Sequence, residues 1–84
     1  MSESDAELKR LRWRCRRGTR ELDQLFGWWL DERHAAASAE LRRGFAGLLE
    51  QQDPEIWDGL LGRGTPPDAG QAAVIDEIRT RHRV

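Results

Sequence analysis

Three arginines, a glycine and a carboxylate fall within the six residues RRGTRE, Arg16 to Glu21. The chemistry open to such a set is ionic recognition rather than bond making. A guanidinium presents a planar fork that pairs two-pronged with a carboxylate or a phosphate-like group. Glu21 is able either to meet a cation on a partner or to hold Arg17 or Arg20 in place. Gly18, lacking a side chain, lets another backbone approach closely. On a helical wheel at ~100° per residue, Trp13 lies off the apolar stripe of its segment, and Arg10, Arg14 and Arg17 fall on the same outward side. Glu21, Gln24 and Trp28 share one off-core flank of the next segment. Tryptophan beside arginine on a charged surface is the composition that interface hot spots favour.

Residues for covalent chemistry are scarce. Cys15 is the single cysteine, so an internal disulfide and a CxxC metal site are both excluded, and a reducing compartment is implied. His34 and His82 stand alone, which gives neither a metal-ligand cluster nor a Ser/His/Asp or Cys/His set. Cys15 is expected to line the core. No metal site is therefore expected, and the chain reads as a binding protein rather than an enzyme.

The elements that must position these residues are helices. The chain has 84 residues, 38% hydrophobic and 35% charged. That length suits one domain, 1–84, with a single modest core hiding roughly 60–65% of the unfolded surface. No period-2 alternation and no repeat is visible, so the expected fold is all-α, a single small bundle of five short helices, with residues 1–5 and 80–84 frayed. The first helix runs from Ser4 or Asp5 to Arg17, with Leu8, Leu11 and Cys15 inward. Gly18 stops it and Thr19 caps a second helix to Arg33, whose Leu22, Leu25, Phe26, Trp29 and Leu30 follow the i, i+3, i+4, i+7, i+8 series of a buried face. HAAAS is a short connection. Ser38 caps a third helix, 39–52, which buries Leu41, Phe45, Leu48 and Leu49. Asp53 caps a fourth, with Pro54 in its first turn, Ile56, Trp57, Leu60 and Leu61 inward, and Gly62 at its end. GRGTPPDAG is irregular, and Asp68 caps a last helix with Val74, Ile75 and Ile78 inward.

Net charge is −1 and the pI near 6.1, yet the charge is uneven. Residues 9–20 carry seven basic side chains (Lys9, Arg10, Arg12, Arg14, Arg16, Arg17, Arg20) and no acidic one, while residues 21–59 carry nine acidic and three basic. A positive end beside a negative middle suggests an oriented encounter with something charged. Nucleic acid is one candidate for the basic run, but such binders usually have a pI above ~9. The longest nearly apolar run, LFGWWL, is far short of the ~20 residues that cross a bilayer. MSESDAELKR has neither secretory nor transit character, so a cytoplasmic protein, or the mature form of an organellar one, is expected.

A purely structural reading of RRGTRE stands beside the recognition reading. Arg16 and Arg17 at one helix end, and Glu21 in the first turn of the next, are where helix dipoles prefer those charges. Gly18 and Thr19 are ordinary caps. Residue types alone lean slightly towards this joint.

At the same corner the sequence resembles the small FAD assembly factors of succinate dehydrogenase, also called flavinylation factors. Their RGxxE signature is matched by Arg17, Gly18 and Glu21. Its surrounding pattern W-x-C-R-R-G-x-R-E-L-D is met by Trp13, Cys15, Arg16, Arg17, Gly18, Arg20, Glu21, Leu22 and Asp23. LLEQQDPEIWDGLL and GRGTPPDAG are similar to later segments of the family, so the likeness spans residues 8–82; LFGWWLDER departs from its usual second helix. The resemblance implies a factor that binds the flavoprotein subunit of succinate dehydrogenase, with fumarate reductase's homologous subunit as a second client, and assists covalent attachment of FAD to a client histidine. It implies that Arg17, Gly18 and Glu21, with Arg16, Arg20, Trp13 and Arg10, form the partner-binding side. FAD is handled on the client, with none held stably here: an exposed helix start suits a pyrophosphate, but Glu21 sets a negative charge at that start. No nucleic acid, no membrane insertion and a monomeric free state complete the expectation.

Overall fold

In a computed structural model the backbone is described for residues 3–64, 66 and 68–82, and side chains from residue 6 onward. The described residues are all-α: α1 (Glu3–Arg14), α2 (Arg20–Glu32), a 3-10 turn (His34–Ala36), α3 (Ala39–Leu49), α4 (Asp53–Leu60) and α5 (Ala69–His82). The expected five α-helices are thus present in the expected order. Of the ends expected to fray, residues 3–5 and 80–82 are helical, and residues 1, 2, 83 and 84 lie outside the described residues. The chain divides into two compact units, 1–35 and 36–84.

In the first unit α2 carries the core. Leu22, Phe26 and Trp29 are fully buried, with Leu25 and Leu30 nearly so, as the spacing predicts. Against this face α1 turns Leu11 and Cys15, whereas Leu8 remains 36% exposed, so the stripe is shorter than expected. Helix α1 also ends three residues early, at Arg14 rather than Arg17. The Cys15 N–H is shared between the carbonyls of Leu11 and Arg12, and Arg16 N–H donates to the Trp13 carbonyl at 3.1 Å. That tightening to i→i−3 bonds closes the helix before Arg16 and Arg17. An exposed pair, Arg12 to Asp31 at 2.7 Å, links α1 to α2; such pairs contribute about 0–1 kcal/mol. After α2, His34 is buried with its ring edge-on to Trp29, centroids 5.9 Å apart. HAAAS thus begins with a 3-10 turn anchored by the buried His34, rather than being a bare connection.

In the second unit Ser38 caps α3 as expected, its hydroxyl accepting from Leu41 N–H. Phe45, Leu48 and Leu49 are buried, and Leu41 only half so. The α3 helix stops at Leu49, short of residue 52. The cap of α4 is Gln52, not Asp53, because Glu55 and Ile56 N–H both reach the Gln52 carbonyl. Asp53 instead lies within the first turn, where its charge suits the dipole. At the other end Arg63 N–H bonds to the Asp58 carbonyl and Gly62 N–H to that of Gly59, with Gly62 at φ +76°. This left-handed closure makes Leu61 the C-cap. The side chain expected to face inward is thereby rolled outward to 49% exposure, and Trp57 is half-buried. Asp68 caps α5, accepting from Gln71 N–H at 2.8 Å. Val74, Ile75 and Ile78 are buried as the pattern predicts. Thr65 and Pro67 of the irregular stretch lie outside the described residues.

Helices α3 and α5 meet backbone to backbone. A Cβ on Gly44 would lie 2.2 Å from the carbonyl carbon of Gly70. Gly44→Ala gains at most about 1 kcal/mol in helix propensity, while overpacking against main chain costs about 1–3 kcal/mol or more. A clash with two helix backbones has no flexible end to give way, so overpacking wins. Thermal unfolding by circular dichroism should show a lower melting point, by about 4–8 °C for each net kcal/mol lost; an unchanged midpoint would contradict this contact.

Candidate partner-binding corner

The corner is built from the end of α1 inward. Cys15 is buried and fixes the chain against the first unit's core, so the residues on either side must turn out. Trp13 is 71% exposed, the outward position its spacing predicts. Arg16, also exposed, brings its guanidinium carbon 5.9 Å from the Trp13 ring centroid. A cation over an indole at such an exposed site is worth roughly 0.5–1 kcal/mol. Arg10 lies one turn earlier on α1, exposed, beside a shallow depression lined by Glu7, Leu11 and Arg14.

Beyond α1 the chain makes a short loop. Arg17 is half-buried, and Gly18 takes φ +88°. No atom lies within 4 Å of where a Cβ on Gly18 would project. A positive φ favours glycine, and the open space leaves its backbone bare to a partner. Thr19 occupies the N-cap position of α2 with extended backbone, but its side chain makes no cap hydrogen bond, contrary to expectation. Reciprocal capping from Thr19 wants a Glu or Gln at position 22, and Leu22 faces the core instead. The carboxylate of Asp23 reaches back past the cap, accepting from Arg17 N–H at 2.6 Å. The sequence pattern names Asp23 without giving it this bond; the signal for it is a second carboxylate two positions after Glu21, in the first turns of a helix that follows a glycine.

Arg20 and Glu21 open α2, both exposed, with Gln24 exposed and Trp28 half-buried further along. Glu21 retains the dipole position expected of it. Arg16 and Arg17 do not, because they follow the helix instead of ending it; the basic residues of that last turn are Arg12 and Arg14. Arg16, Arg17 and Gly18 lie in the loop and Arg20 and Glu21 in the first turn of α2, with the Arg16 guanidinium over the Trp13 ring and Arg10 further back on α1.

The corner offers charged side chains, an exposed indole and a bare glycine backbone for contact. Burial pushes the Cys15 thiol up to about 11, against the pull of the Arg12 guanidinium. Thiolate is the nucleophilic form, and little of it exists at neutral pH. Alkylation at pH 8 should run about a hundredfold slower in the folded protein than in denaturant, from the two-unit shift alone. Equal rates would show Cys15 to be accessible and reactive. Among the described residues no cluster of three or more His, Cys, Asp or Glu could hold a metal ion, and no helix is long and apolar enough to cross a membrane.

Residues 9–82, which include the corner and all the helices after it in sequence, match the family model described as the flavinator of succinate dehydrogenase. The chain belongs to this family. It is 47% identical over 74 residues to the FAD assembly factor SdhE of Xylella fastidiosa strain 9a5c, covering 88% of this chain and 76% of that one. Against the FAD assembly factor SdhE of Vibrio parahaemolyticus the identity is 36% over 72 residues, covering 86% and 84% of the two chains.

Proposed function

We propose that this protein binds the flavoprotein subunit of succinate dehydrogenase and promotes covalent attachment of FAD to it, with fumarate reductase's homologous subunit as a second client. One observation carries the reading: in a chain of the flavinator family, Gly18 bares its backbone at φ +88° between Arg17 and the Arg20–Glu21 pair, at a corner ending in an exposed Trp13. A surface of this kind accepts a partner's main chain at Gly18 and charged groups on either side. The protein contributes binding and positioning, holding the client's domains in an attachment-ready arrangement, which lowers the barrier without supplying a reacting group. The bond to flavin belongs to the client. On this chain the one thiol is buried and protonated, and Glu21 sets a negative charge in the first turn of α2, where a helix start would otherwise favour a pyrophosphate. FAD is accordingly client-bound substrate rather than a resident cofactor here, and the factor works as a cytoplasmic monomer when free.

Affinity purification of the tagged protein from cells expressing the flavoprotein subunit tests this reading. Stoichiometric recovery of that subunit is expected, and its absence would sink the proposal. A nucleic-acid reading of residues 9–20 makes a different forecast, a steep fall of log K for DNA with log salt. Within that run Arg12 turns to Asp31 and Arg16 to Trp13, which favours a shallow slope.

A further inference from the structure

The geometry points to Asp23 as a positioning residue that sets the shape of the Arg17–Gly18 loop for the client; this rests on the proposed function. Three observations converge on it. The Asp23 carboxylate is half-buried and accepts the Arg17 N–H at 2.6 Å, a short charge-assisted bond spanning six residues. Thr19, the residue that would ordinarily hold this helix entry, contributes no side-chain cap bond. The Asp23 backbone is itself fixed, its N–H donating to the Thr19 carbonyl at 3.0 Å. A side chain anchored in α2 thus holds the loop immediately before the glycine whose positive φ aims the bare backbone outward.

Without that bond, rotation about the backbone of Arg16 and Arg17 would change the direction of the Arg17 side chain and the plane of the Gly18 peptide together. A partner that reads both would then meet an ensemble, and its apparent affinity would fall with the fraction in the competent shape. Asp23 acts through main chain, so what it must supply is a correctly placed acceptor oxygen, not a charge. That requirement separates positioning from a helix-dipole role, which needs only the charge.

Three variants and two readouts test the assignment. Asp23→Ala should speed hydrogen exchange at the Arg17 amide and weaken binding to the client flavoprotein subunit by at least about tenfold, the loss typical of a charge-assisted bond. Asp23→Asn keeps an acceptor at the same reach and should stay closer to wild type than Asp23→Glu, which keeps the charge but displaces the oxygen. An unchanged Arg17 amide in Asp23→Ala, or binding within about twofold of wild type, would overturn the inference. So would Glu outperforming Asn, the order a dipole role requires, and this comparison decides the matter even if the alanine variant melts. Should wild type itself fail to bind the client, the proposed function falls, while exchange at Arg17 still judges Asp23.

Discussion

Gly18→Arg is expected to leave a folded protein that no longer supports client flavinylation. Forcing a side chain into φ +88° costs about 1 kcal/mol, a small part of the ~5–15 kcal/mol that keeps a domain folded. Nothing lies within 4 Å of the new Cβ, so no clash adds to that strain. The lost function comes from outside the molecule: a long cationic chain would stand where the partner's backbone must approach. Gly18→Ala separates the two effects. It carries the same backbone strain with only a methyl group, and should keep most of its activity. The pair is read by thermal unfolding beside covalent flavin fluorescence of the client. Wild-type flavinylation by a folded Gly18→Arg protein would contradict the interface.

Glu21→Gln should separate melting from binding in the same way, and here magnitudes decide. Glu21 is exposed in the first turn of α2, so as a dipole residue it is worth about 0.3–1 kcal/mol of stability. The loss would be a few degrees of melting temperature at most. If its carboxylate meets a client cation in the complex, removing the charge leaves that cation unpaired and weakens association by ~2–5 kcal/mol, from about thirtyfold to several thousandfold. Near-native melting with much weaker client binding is the expected result. Unimpaired binding would return Glu21 to a role inside its own helix.

The two glycine stops show what a linear pattern conveys. Gly18 and Gly62 both mark turns with positive φ, and Ser38 and Asp68 both cap the helices they precede, because each of these choices is local. The buried series of α2 was equally legible, since spacing alone sets a helix face. Ends decided by competing hydrogen bonds were not. Cys15 shares its N–H between two carbonyls, and nothing in its neighbours says that the helix closes there and not three residues later. Leu61 matches an inward spacing and is turned out only by the closure around Gly62. Gly44 reads as a poor helix residue until Gly70, distant in sequence, is found against it. At the corner, Trp13's exposure was legible from the wheel. The Asp23 bond was not, because a capping expectation assigned the task to Thr19.

The most direct measurement is covalent flavin on the flavoprotein subunit in cells that lack their own factor, read as fluorescence of the denatured subunit on a gel. Supplying this protein should restore the fluorescent band, while Gly18→Arg and Glu21→Gln, expressed to equal levels, should leave it faint. A band as dark with the wild-type protein as with empty vector, despite normal amounts of subunit and FAD, would contradict the assignment.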